Sequence, residues 1–286
     1  MSQVAIVTDS ASDYDPARAA ALGIAIVPLI VSFGNQSFEA GRNLSADQFW
    51  ERLTAPGAPF PTTAACSPGA FQTTYQRLFD EGADAVVSIH VAGTLSGTIK
   101  SAQIARASMR DREIHVVDSK SASMAEGILA EIAVKRAAEG ASAAQIVGEL
   151  EARRDDIAIY LALDTLTYLK RGGRISGAQA AIGTLLSVKP IIEIKDGKVE
   201  TAERVRTRGK ARERLIELFT ARPIERLSIL HTTDANVEQF ADQLVAAASL
   251  DRSKVTIDLV GPSVGPHLGP GCVGGVALYT KESRPA

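Results

Sequence analysis

The chain has 286 residues, 45 % of them apolar and 22 % charged, with a formal net charge of −2. That length holds one large domain or two ordinary ones, each with a real core. Lys and Arg are spread along the chain and aromatics make up only 5 %, which disfavours an electrostatic grip on nucleic acid or anionic membrane and a base-stacking platform.

The opening segment to Val7 reads as a strand rather than a signal peptide, because no charged leader precedes it and Asp9 ends the apolar run. No stretch of about 18 apolar residues occurs, so no stable membrane insertion is expected. Cys66 and Cys272 lie far apart and are read as reduced thiols in a cytoplasmic protein.

In the first half, short β-rich runs alternate with helical patterns. The strands are read at Val4–Thr8, Ile24–Ser32, Ala85–Val91 and Ile114–Asp118. Asp15-Pro16 supplies an N-cap and a first-turn proline, and Gly23 closes that helix. Ser45 with Gln48 is a capping box. Ser67-Pro68 opens a helix whose Phe71, Tyr75, Leu78 and Phe79 share one face. Such alternation implies a mainly parallel sheet with helices on both faces.

The second half is a mixed α/β pattern. Ile157–Leu163 is a strand, Lys170–Arg174 a basic turn, and residues 190–205 a hairpin about Asp196-Gly197. Leu227–His231 and Val255–Val260 are strands around a helix near Val237–Ala248. The expected organisation is an N-terminal domain over residues 1–160 and a C-terminal domain over 161–286.

Several motifs fail on context. Gly269–Gly274 fits G-x-G-x-x-G, but a β-like run follows where a helix is needed. Gly93–Thr98 lacks the G-K-[ST] of a P-loop. No Cys-x-x-Cys and no histidine pair at i, i+4 occur, so no metal site or cofactor is expected. The G-x-S-x-G elbow is absent.

Three hydroxyl-rich loops stand where strands lead into helices, at residues 8–12, 61–66 and 92–98. Ligands of open α/β sheets sit at such ends. A helix N-terminus attracts an anion, and Gly97 lets a ligand oxygen approach the backbone. Hydroxyls add donors without charge, although Ser and Thr there also serve as ordinary caps. His267, in the Gly- and Pro-rich segment 261–271, is a further candidate.

At these residues the chain resembles the DegV family of bacterial fatty-acid-binding proteins. The resemblance rests on Val7-Thr8-Asp9-Ser10, Leu95-Ser96-Gly97-Thr98, residues 116–120, Leu169 to Ser176, Val188-Lys189-Pro190 and His267-Leu268-Gly269-Pro270-Gly271. It implies two α/β domains with an apolar tunnel at or near their junction. The carboxylate of a long-chain fatty acid would be held by Thr63 and Ser96, with Ser10, Gly97, Arg174 and His267 beside it. His267 or Arg174 would favour the ionised acid. It also implies a carrier rather than an enzyme, one that presents the acid to a separate fatty acid kinase for conversion to acyl phosphate and phospholipid synthesis, with Arg206 on the partner-facing surface. The chain departs from the family's Thr-Ser-Gln-Pro-Ser by reading Thr63-Ala64-Ala65-Cys66-Ser67. Alternative readings are a hydrolase or phosphotransferase with Ser96 as nucleophile and His267 or Asp9 as base, and a scaffold acting through its surface.

Overall fold

The computed structural model describes residues 3–175 and 188–283; Ser176, the last residue of one family-like motif, lies outside them. The first sheet is built from β1 (Val4–Asp9), β2 (Ile24–Val27), β6 (Ala85–His90) and β7 (Glu113–Asp118), all parallel in the order β2-β1-β6-β7. Both its faces are covered, as its near-continuous apolar strands require. Val4 and Ile6 pack in one cluster with Ile128 of α5 (Met124–Ala138) and Ile146 of α6 (Ala143–Arg153). Val7 and Val86 pack in another with Phe71 and Tyr75 of α3 (Pro68–Asp80) and Ala102 of α4 (Thr98–Ser108).

The caps fall where the side chains direct. Asp15 accepts from Arg18 N at the start of α1 (Pro16–Ala21), and Ser67 from Ala70 N before α3. Ser45 and Gln48 close both halves of a capping box on α2 (Ala46–Thr54).

The segment expected as one strand over Ile24–Ser32 is two. Pro28 has no N–H to give a ladder. The chain leaves β2 there and starts β3 (Ile30–Phe33), the middle of a small antiparallel sheet with β4 (Gln36–Glu39) and β5 (Thr62–Ala64). The supposed loop before Ser67 is therefore partly a strand, in which Thr63 pairs with Val31.

The second sheet is mixed, in the order β10-β9-β8-β13-β11-β12. It comprises β8 (Ile157–Ala162), β9 (Lys189–Lys195), β10 (Lys198–Val205), β11 (Ile224–His231), β12 (Val255–Leu259) and β13 (Val273–Tyr279), with only β11 and β12 parallel. Asp196 (φ 48°) and Gly197 (φ 75°) make the expected turn of the β9–β10 hairpin. One face carries α8 (Arg208–Phe219) and α9 (Val237–Ala248), burying Leu215, Phe219, Phe240 and Leu244.

The opposite face meets α5, which lies between the sheets and touches β1 and β6 on one side and β8 and β13 on the other. Its first seven residues, Met124 to Ala130, are all buried, as expected of a helix enclosed on every side. Trp50 ties the small sheet's excursion to the second half by donating to Val260 O at 2.8 Å.

Two short helices replace expected loops. α7 (Thr167–Arg171) takes in the first two residues of the basic turn, Lys170 and Arg171, and ends at Gly172. α10 (Gly265–Leu268) carries His267.

Candidate functional site

A cavity lies between the sheets, its fully enclosed space about 70 Å³, and it is concave and mostly apolar, as small-molecule sites are. Its apolar wall comes from alternate residues of the second sheet: Ile159 and Leu161 of β8, Ile192 and Ile194 of β9, and Val199 of β10. Strand alternation explains the choice, since Tyr160 between them turns to the other face and stacks edge-on with Phe219.

Four of the anticipated polar residues, Thr63, Ser96, Arg174 and His267, line this cavity. They are brought together from four places in the chain. β5 holds Thr63, whose hydroxyl lies 3.2 Å from His267 Nε2. The turn closed by Leu95 N and Ser96 N on Ala92 O holds Ser96. Arg174 Nε donates to Leu95 O at 3.1 Å, and its Nη1 to Gly172 O at 2.6 Å. The Ser96 loop is also tied to the hairpin tip, where Thr94 Oγ1 donates to Gly197 O.

Neither hydroxyl is a helix cap. Ser67 caps α3, and Gly97 sits at the N-cap of α4 with no side-chain bond. Ser96 Oγ lies 2.9 Å from Thr98 Oγ1 and accepts weakly from Thr98 N at 3.3 Å. Neither base considered for Ser96 is on it, since His267 faces Thr63 and Asp9 faces His90.

The electrostatics narrow the expected roles. Burial, helped by the charge of Arg174, pushes the His267 imidazole down to about 4, so His267 is neutral in ordinary buffers and, among the described residues lining the cavity, Arg174 supplies the positive charge. Ser10 is placed elsewhere. Its hydroxyl bonds Ser263 Oγ at 2.8 Å and accepts from Leu29 N at 2.8 Å, and it lines a neighbouring crevice rather than the cavity. Gly97 is not among the residues lining the cavity. Arg206 is exposed between β10 and α8.

Sequence reasoning missed the cavity's inner partition. Ser123, at φ 58° and ψ −150°, lines the cavity, a conformation costly for a residue with a side chain. Its hydroxyl donates to Asp13 Oδ2 at 2.5 Å, and Gly261 N donates to Asp13 Oδ1 at 2.9 Å. Burial pushes the Asp13 carboxyl up to about 7.

A second network was equally invisible. His90 Nδ1 lies 3.0 Å from Asp9 Oδ2 and His90 Nε2 lies 2.6 Å from Ser88 Oγ, which lies 2.8 Å from the Tyr75 hydroxyl. Glu126 accepts from Thr8 Oγ1 and from Asp9 N. Burial and the charge of Asp9 push its carboxyl upward. Asp9, His90 and Glu126 bring ligand-type atoms within 4.8 Å of one another. Ser88–His90–Asp9 has the pairing of a hydrolytic triad, yet all three residues are 0 % exposed and none lines the cavity.

The profile of the family described as "Uncharacterised protein, DegV family" matches residues 3–280. The chain belongs to the DegV family. A DegV domain-containing protein of Halalkalibacterium halodurans is 35 % identical over 280 residues, covering 96 % of this chain and 98 % of its own. A Thermus thermophilus structure, described as fatty acid binding of a DegV family protein, superposes with a TM-score of 0.89 at 35 % identity, covering 97 % of this chain and all of that one. A stearic acid-binding protein of Eubacterium ventriosum superposes with a TM-score of 0.88 at 25 % identity, covering 99 % of this chain and all of that one. The expected α/β fold, parallel in its first sheet and mixed in its second, is the DegV fold. No helix among the described residues is long and apolar enough to cross a membrane.

Proposed function

We propose that this protein binds and sequesters a long-chain fatty acid, with the carboxylate on Thr63 and Ser96 and the acyl chain along β8, β9 and β10. The observation that carries this reading is the cavity itself, an aliphatic wall whose lining also holds the hydroxyls of Thr63, Ser96, Ser123 and Ser263 and the guanidinium of Arg174. Fatty acid binding by the Thermus and Eubacterium relatives supports it. Each buried methylene contributes about 0.8 kcal/mol, so ten of them supply roughly 8 kcal/mol. The carboxylate must be desolvated, and charge-assisted hydrogen bonds of roughly 1.5–3 kcal/mol each offset that loss. Arg174 favours the ionised head group.

In this reading the protein is a cytoplasmic carrier that hands its acid to a separate fatty acid kinase, with Arg206 on the contacting surface. The family resemblance supports that step, as does the exposure of Arg206. The two sheets are taken as two domains meeting near residue 160, a division supported by the change of sheet at β8.

Organic extraction of the purified protein followed by mass spectrometry tests the binding. Near-stoichiometric fatty acid is expected, and its absence together with no uptake of added acid refutes the reading. A reconstituted kinase reaction tests the handover. Arg206→Ala should slow acyl phosphate formation without changing acid content, and an unchanged rate removes Arg206 from the interface.

A further inference from the structure

His267 poses a proton-accounting problem. Its ring is neutral and nearly enclosed, Nε2 faces Thr63 Oγ1 at 3.2 Å, and Nδ1 is buried with no hydrogen-bond partner. A neutral imidazole carries one proton, and the nitrogen that holds it decides which way Thr63 can point its own.

Gly172 settles which nitrogen that is. A Cβ built on Gly172 would lie 2.1 Å from His267 Nδ1 and 2.9 Å from Cε1, with the next nearest atom, Tyr168 O, at 3.2 Å. Cγ is thus farther than Cε1, which puts the contact near the ring plane, on the line where an Nδ1 lone pair or proton projects. In glycine that space holds only a Cα hydrogen. A lone pair fits against it, whereas an N–H would meet it head-on. Space rather than backbone freedom is at stake, because Gly172 has φ −76° and ψ −7°, a conformation open to any residue.

We propose that Gly172 is a positioning residue for the head-group site: it admits the His267 ring with its proton on Nε2, so that His267 donates to Thr63 and the Thr63 hydroxyl is left to donate into the cavity. Ser96 is disposed in the same sense when Thr98 Oγ1 is the donor across their 2.9 Å contact, because its oxygen then accepts from both Thr98 Oγ1 and Thr98 N and its own proton is left for the cavity. A site with two outward-pointing hydroxyl donors and a guanidinium suits a group that accepts at both oxygens, which is an ionised carboxylate. This inference rests on the fatty acid reading above.

The test combines a direct measurement with a double-mutant cycle. In the ¹⁵N-labelled full-length protein, the imidazole nitrogens of His267 should show a protonated Nε2 and a bare Nδ1 near neutral pH. The opposite assignment overturns the proposal without requiring any variant to fold. Gly172→Ala should weaken binding of an added C16–C18 acid by about tenfold or more, the loss of one charge-assisted bond. His267→Ala should weaken it comparably. Gly172→Ala placed on His267→Ala should add almost nothing, because no ring remains to displace. Full additivity of the two losses overturns the proposal. If the parent chain binds no fatty acid, the functional reading fails instead, while the nitrogen assignment still decides the tautomer.

Discussion

Replacing Thr63 by Val separates the head-group contact from the fold that carries it. Valine keeps the β-branched shape on β5, suits a strand and removes only the hydroxyl. Two consequences follow from the geometry. The acid loses one charge-assisted hydrogen bond, roughly 1.5–3 kcal/mol, or about 10- to 150-fold in affinity. His267 Nε2, 3.2 Å from the hydroxyl, loses its partner in the free and loaded protein alike, so that cost falls on stability rather than binding. An unsatisfied buried polar group costs about 1–3 kcal/mol, and each kcal/mol lowers Tm by roughly 2–4 °C in a chain of this size. Displacement of a fluorescent fatty acid reads the first effect, and thermal melts of delipidated protein read the second. Affinity within about twofold of the parent chain would sink the assignment of Thr63 to the head group. An unchanged Tm would sink its pairing with His267.

Other perturbations address the surroundings. Ser10→Ala should leave acid affinity within about twofold and lower stability by about 1 kcal/mol, because its hydroxyl serves Ser263 and Leu29; a large affinity loss in the same displacement assay would return Ser10 to the site. Asp13, raised to about 7, keeps a proton in the folded chain that the unfolded chain releases near pH 4. Its stability contribution is therefore complete below about pH 4 and is lost as pH rises through about 7. Asp13→Asn should remove that decline, read as urea midpoints at about pH 5 and pH 8, and a variant that keeps the parent slope refutes the attribution. Gly274→Ala should destabilise by at least about 1–3 kcal/mol, since its Cβ would lie 2.0 Å from Tyr160 O on the adjoining strand; a Tm equal to the parent's would show that β8 and β13 separate at little cost.

What could be read in the sequence follows the range of the forces involved. The caps at Asp15, Ser45 and Ser67 and the Asp196-Gly197 turn depend on neighbours within a few residues, and they stand where their chemistry put them. β5 was missed because three residues, Thr62, Thr63 and Ala64, carry no periodic signal and owe their strand conformation to Ile30, Val31 and Ser32 far upstream. The site divides along the same line. Thr63, Ser96, Arg174 and His267 were reachable through loop position and family resemblance, and they converge. Ser10 looked equivalent in one dimension, but the direction of its side chain depends on Ser263, 253 positions away. Gly172 left no mark beyond a Gly-Gly pair, because its meaning is the nearness of a ring 95 residues downstream.

The sealed network around Asp9 has a consequence for assembly. β1 and β6 are parallel and carry apolar residues toward both faces, so hydrophobic burial alone scarcely distinguishes one alignment from the next. Sliding β1 by one residue would turn Asp9 to the opposite face, away from His90 and from the N–H of Val91, and would strip Glu126 of Thr8. Each misalignment would strand acid groups in an apolar interior, where an unpaired charge is severely penalised. The triad-like arrangement thus acts as a ratchet pawl for the first sheet, opposing a one-residue slip and keeping Ser96 and the other loops at the strand ends beside the cavity.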